Sequence, residues 1–256
     1  MIRSVIYGPV PSWRLGRSLG IDLLSTDFKT CSMDCIYCQL GKTINPLTER
    51  REFVSIKELE KALENVKGVE ADYATFSGMG EPSLASNLGE AIGLVKSVLN
   101  IPVAVLTNSS LMTRDEVRRE LAFADVVVAK VDAPNEDLFG KINRPVMKQR
   151  FAEILEALRL VRQEYHGKLD LQMMFVAANK SYAADMARIA RKIFPAEVQI
   201  NTPLRPCGVS PLPPREITAI GGEFNNFKNV VTVYGAPKPE VMPFDLAETL
   251  RRRPKL

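Results

Sequence analysis

The chain has 256 residues, 46% of them hydrophobic and 25% charged, a globular composition long enough for one large domain or two small ones. Its apolar runs, such as residues 101–106, are too short to cross a bilayer, so no membrane role is expected. The formal charge of +4 rests on Arg251, Arg252, Arg253 and Lys255, because without these four the chain has 30 basic and 30 acidic residues.

The first sixteen residues, MIRSVIYGPVPSWRLG, lack the apolar stretch and small-residue cleavage site of an export signal, which points to the cytoplasm. Short strand-like runs then recur at 18–25, 71–77, 101–107, 125–131, 168–176 and 197–201. Each is rich in β-branched or aromatic residues and bounded by polar or turn residues. Helical patterns lie between them. Ile56, Leu59, Leu63 and Val66 share one face behind a capping-box pair, Ser55 and Glu58. Thr113 and Glu116 repeat that pair. Residues 148–165 carry a stripe of Phe151, Ile154, Leu155, Leu158 and Val161, and residues 183–194 one of Met186, Ile189 and Ile193.

Alternating strands and helices imply parallel strands with right-handed crossovers. The expected fold is α/β, a partial (β/α)6 TIM-like barrel over residues 1–202 with a C-terminal extension over 203–256. A doubly wound sheet is the other architecture this alternation permits. The extension holds nine of the seventeen prolines and one short strand pattern at 229–235. It is expected to pack on the barrel and to end in the basic tail, read as a solvated end or as an arm that meets phosphates. In either architecture chemistry belongs at the C-terminal ends of the strands.

Three of the four cysteines, Cys31, Cys35 and Cys38, fall within eight residues as C-x3-C-x2-C, next to polar Ser32 and Asp34 in a loop. Such clustering is no disulfide framework and reads as metal binding or redox chemistry. A structural zinc site usually needs a fourth ligand, and only distant Cys207 and the lone His166 are available. An iron–sulfur cluster held by three thiolates would leave one iron open to a small molecule.

The C-x3-C-x2-C spacing, with Tyr37 just before the last cysteine, resembles the radical S-adenosylmethionine (SAM) superfamily. SGMGEP at 77–82 is similar to that family's glycine–glycine–glutamate motif, with Gly80 and Glu81 at its end and Met79 in place of the first glycine. The resemblance implies a 4Fe–4S cluster on the three cysteines and SAM chelated by the open iron. It also implies cleavage of SAM to a 5′-deoxyadenosyl radical that abstracts hydrogen from substrate, with a low-potential donor of the ferredoxin or flavodoxin type supplying electrons. Glu81, or the backbone beside it, would receive the SAM amino group. Tyr37, Met79, Thr107, Asn108, Asp132, Gln172 and Asn201 would complete the cofactor site. YGPVPSWRLGRSLGID, CIYCQLGKT and KINRP look most like a subgroup of Fe–S oxidoreductases grouped with the tRNA wyosine-base synthases, which implies a possible RNA substrate. Those synthases carry a second cluster on upstream cysteines, and no cysteine precedes Cys31. A protein or small-metabolite substrate is the alternative. A metal-stapled binding module without catalysis is the reading from a different class.

Overall fold

The computed structural model describes residues 4–146 and 150–254. Its main sheet has eight strands: β1 (Ile6–Ser12), β2 (Gly16–Ile21), β5 (Tyr73–Phe76), β6 (Val103–Thr107), β7 (Val126–Lys130), β8 (Lys168–Met174), β9 (Glu197–Asn201) and β10 (Val230–Thr232). They lie side by side in that order. A two-stranded ladder of β3 (Thr30–Cys31) and β4 (Asn45–Pro46) closes the base of the cysteine loop.

All six expected strands form, and from β2 to β10 every neighbouring pair is parallel. The strands follow one another without a reversal of order. A doubly wound sheet needs such a reversal, so the architecture is the curled half-barrel. The chain pattern at 229–235 supplies β10, which pairs with β9 and so brings residues 230–232 into the barrel sheet itself. The sequence reading missed β1, which runs antiparallel to β2 at the sheet edge.

The crossover helices are α1 (Ile56–Glu64), α2 (Leu88–Leu99), α3 (Asp115–Leu121), α4 (Glu136–Ile142), α5 (Phe151–Glu164) and α6 (Ala183–Ile193), followed by α7 (Pro214–Gly222) and α8 (Leu246–Arg252). The capping box of α1 forms as expected. That of Thr113 and Glu116 does not: Thr113 ends a 3-10 turn, and α3 starts after Arg114 without a side-chain cap. The expected start of α5 at residue 148 falls outside the described residues, and the helix is seen from Phe151.

Helices and the outer sheet face share one large core. A second, smaller cluster fills the concave face: Leu15 against Ala104, Val126 and Val128. Leu15 comes from the turn between β1 and β2, so this turn folds into the barrel and carries Trp13 and Arg14 with it.

The basic tail departs from expectation. Arg252 is buried, with its Nε 2.7 Å from the Asp22 carboxylate, a second ion pair to Glu248, and its guanidinium 5.1 Å above the Tyr7 ring. Arg251 donates to the Thr26 carbonyl. The helical turn from Glu248 to Arg252 aims this arginine inward, so Arg251 and Arg252 belong neither to a solvated end nor to a free arm. Lys255 lies outside the described residues.

Candidate metal centre and cofactor cavity

Cys31 ends β3, and the loop beyond it packs against the C-terminus of α4. Asp34 N–H donates to the Asn143 carbonyl at 3.1 Å and Ile36 N–H to the Ile142 carbonyl at 3.0 Å. Two asparagines approach the sulfurs. Asn108 Nδ2 lies 3.5 Å from Cys31 Sγ, and Asn143 Nδ2 lies 3.5 Å from Cys35 Sγ. The Lys29 ammonium is buried beside all three cysteines. Burial opposes its charge, yet Cys38, Cys31 and Cys35 leave its pKa raised. Without metal, burial and then Glu81 push the Cys31 thiol up to about 12, and burial and then Asp132 push Cys35 up to about 11. A bound cation reverses this balance by taking the thiolates directly.

These donors suit a cluster better than a single ion. A zinc site needs its ligands converged on one point. Among the described residues no three Cys, His, Asp or Glu side chains meet that condition. Cys207 donates to the Val209 carbonyl and is no part of the cavity wall. In a cluster each thiolate binds a different iron, so the sulfurs stand apart, and N–H donors and a nearby cation offset the negative charge. Lys29, Asn108 and Asn143 are placed for that.

The SGMGEP segment follows β5 and runs against the entry of the cysteine loop. Thr30 N–H donates to the Met79 carbonyl at 2.9 Å, and Glu81 N–H donates to the Thr30 carbonyl at 3.2 Å. A Cβ on Gly80 would stand 1.6 Å from that same carbonyl oxygen, so only glycine permits the approach. Glu81 is buried. Its Oε1 accepts from Ser83 N–H, Ser83 Oγ and Thr107 Oγ1, the last at 2.7 Å, and its Oε2 accepts from Asn108 N–H at 2.6 Å. Burial raises its pKa against these donors. Oε2 has room for a second donor; Oε1 is saturated.

The C-terminal mouth of the half-barrel opens into a cavity of about 570 Å³, within the range of small-ligand sites. Cys31, Cys35, Cys38, Tyr37, Gly80, Glu81, Thr107, Asn108, Gln172 and Asn201 all reach its wall. Two expected site residues do not. Met79 is buried with its N–H toward Asp22, and Asp132 lies under Tyr37, accepting from Tyr37 Oη, Asn143 Nδ2 and Met174 N–H. Asp132 is therefore a brace for the loop, and its strand-end position alone did not distinguish wall from support. Sequence reasoning missed Lys29, Lys130 and Asn143. Lys130 Nζ sits 4.7 Å over the Tyr37 ring and 3.5 Å from Asp132. Asn143 belongs to the KINRP segment singled out above, which was the available signal.

Comparison with known proteins bears on the chain's family and fold. Residues 26–190 match the family model described as "Radical SAM superfamily". A UPF0026 protein of Methanocaldococcus jannaschii is 37% identical over 224 residues, covering 85% of this chain and 69% of the relative. A UPF0026 protein of Synechocystis is 38% identical over 202 residues, covering 78% and 76%. Among solved structures, Streptococcus suis SuiB bound to S-adenosylmethionine superposes with a TM-score of 0.65 at 13% identity, covering 85% of this chain. The chain spans about half of SuiB, 50% of its length. Archaeal TYW1 superposes with a TM-score of 0.55 at 14% identity, covering 80% of this chain and 70% of that one. At such identities these likenesses concern the fold.

Proposed function

Because the chain belongs to the radical SAM superfamily and to its UPF0026 proteins, we propose that it binds a 4Fe–4S cluster and SAM in this cavity and acts on a small molecule by hydrogen abstraction. The observation that carries the reading is the meeting of the three cysteines with Gly80 and Glu81 on one cavity wall. When bound, the cluster supplies the electron that splits the SAM sulfonium bond, giving methionine and a 5′-deoxyadenosyl radical. The chain's own residues bind and orient. Cys31, Cys35 and Cys38 hold the metal. Asn108 and Asn143 aim N–H groups at two of the sulfurs, and Lys29 offsets their charge. Gly80 lets its segment lie against the Thr30 carbonyl at the entry of the cysteine loop, and the free capacity of Glu81 Oε2 receives the SAM ammonium. Thr107 and Asn108 keep Glu81 in place, while Gln172 and Asn201 shape the wall on the later strands.

A tRNA base is the other substrate reading. Its support in the sequence was the resemblance to the subgroup grouped with the tRNA wyosine-base synthases, together with the basic tail, and of that tail Arg252 is buried in ion pairs. That burial favours a small molecule. Among the described residues no helix is long and apolar enough to cross a membrane. A reducing cytoplasm, with a ferredoxin- or flavodoxin-type donor, suits three free thiols. The test is anaerobic reconstitution. About four irons should bind per chain, and SAM with a strong reductant should yield 5′-deoxyadenosine. Cys→Ala at position 31, 35 or 38 should abolish both. Zinc without sulfide in the purified protein, or full cleavage by the triple Ala variant, would overturn the proposal.

A further inference from the structure

Four basic side chains on the cavity wall have no task in holding the cluster or SAM: Arg14, Arg205, Lys238 and Arg253. They come from the β1–β2 turn, the segment after β9, the segment after β10 and the end of α8. All four lie outside residues 26–190, the stretch shared with the family model. Glu81, the carboxylate on the same wall, accepts from Ser83, Thr107 and Asn108, and its remaining capacity at Oε2 is the part assigned to the SAM ammonium.

Among the described residues no carboxylate forms an ion pair with Arg14, Arg205 or Arg253. Arg14 stacks on Trp13, its guanidinium carbon 5.0 Å from the ring centroid, and its Nε is buried without an acceptor. Arg253 Nε is likewise buried without an acceptor. Arg205 Nη1 donates only to main-chain carbonyls, of Pro254 at 3.1 Å and Arg253 at 3.4 Å. Burial, and then repulsion from Arg253, bring Arg14 and Arg205 down to about 10. Half-buried like charges with idle donors are destabilising unless something of opposite charge arrives. Guanidinium forks match the oxygens of a phosphate or carboxylate. SAM is a poor occupant of this seat: the open iron would take its carboxylate together with the amino group, and the sulfonium that remains would face three cations.

We infer that Arg14, Arg205 and Arg253 seat an oxyanion of the substrate, a phosphate monoester or carboxylate on a small molecule, within the cavity that takes SAM. This rests on the radical SAM reading and names its substrate class. Leu15, locked into the concave face, fixes Arg14, and Arg205 clamps the tail that bears Arg253. The seat is thus assembled from three distant segments by closure of the half-barrel.

The test uses anaerobically reconstituted protein in chloride buffer, titrated calorimetrically with inorganic phosphate, pyrophosphate and malonate, and separately with bulk tRNA. At least one small anion should bind saturably, and Arg14→Gln or Arg205→Gln should weaken it about tenfold or more. Preference for a phosphate probe identifies a phosphate ester, and preference for malonate a carboxylate. In the same chloride buffer without added phosphate, pyrophosphate or malonate, Arg14→Gln should melt no lower than the parent, because it removes an uncompensated charge. The inference is overturned if no small anion binds at millimolar concentration, or if both variants bind like the parent. It is also overturned if Arg14→Gln melts lower, which makes Arg14 structural, or if SAM or tRNA affinity falls in place of anion affinity. Iron content and 5′-deoxyadenosine release from the same samples separate failure of the seat from failure of the radical reading.

Discussion

Replacing Arg252 by Met should unseat the end of the chain and loosen the cofactor site with it. The Arg252–Asp22 pair is almost wholly shielded, with side-chain exposures of 0% and 1%. Removing one partner of such a pair costs about 3–5 kcal/mol, because the other charge stays buried. Asp22 keeps three main-chain donors, Leu24 N–H at 3.2 Å, Ser25 N–H at 3.0 Å and Met79 N–H at 3.3 Å. These soften the loss, so the low end, about 3 kcal/mol, is expected. At about 2–4 °C per kcal/mol for a chain this size, the melting temperature should drop by about 6–12 °C. Asp22 is also the link from the tail to Met79 and the segment entering the cysteine loop, so the variant should lose iron faster to a chelator. Replacing Asp22 by Leu in the same chain removes the stranded charge and should recover part of the stability. Thermal unfolding of the two variants and the parent, under anaerobic conditions, decides the matter. A shift below about 2 °C for Arg252→Met would show that the pair does not hold the tail.

Two further outcomes follow from the geometry around the barrel interior. Glu81→Ala leaves four donor contacts, from Ser83 N–H and Oγ, Thr107 Oγ1 and Asn108 N–H, without their acceptor; at about 1 kcal/mol each, urea unfolding should show a loss near 4 kcal/mol, and a loss below 1 kcal/mol would mean that water or SAM, not this network, organises the segment. Burial pushes the Asp170 carboxyl up to about 7, against the Lys168 ammonium 3.1 Å away and with the help of Glu197. The folded chain therefore holds a proton there that the unfolded chain releases near pH 4, so this contribution is complete below that value and is lost as pH rises toward 7. Stability measured across pH 4–7 should carry that falling component, and Asp170→Asn should remove it; an unchanged profile would refute the assignment.

How far the chain could be read in advance depends on how local each determinant is. The six parallel strands were legible because helices cover their outer face and the barrel interior their inner one. Such strands are near-continuous apolar runs between polar boundaries. β1 was not legible, because IYGPVPS carries Pro9 and Pro11, which argue against a central strand; its place at the sheet edge is what tolerates them. Thr113 offered a cap, but the chain enters α3 through a 3-10 turn whose geometry a pairwise spacing does not encode. Gly80 and Glu81 could be placed because a short motif after a strand dictates both backbone approach and side-chain direction. Asp132 occupies an equivalent strand end, yet Tyr37 and Asn143 draw it beneath the wall, a competition between three separated segments.

The same distinction separates cofactor from substrate. Three thiols spaced within eight residues carry their chemistry in their spacing, whatever the rest of the chain does. Arg14, Arg205 and Arg253 carry none until Leu15 plugs the concave face and α8 docks on the outer edge strand. In the linear sequence Arg253 is one of a run of three and Arg14 one of many surface-like bases. Folding sorts the run: Arg252 goes to Asp22, and Arg253 to the cavity. A charge count over the tail averages these two fates and points outward to an RNA backbone. Resolved residue by residue, Arg252 is paired with Asp22, and Arg253 joins Arg14 and Arg205 on the cavity wall, where the proposed occupant is an anion small enough to share the space with SAM.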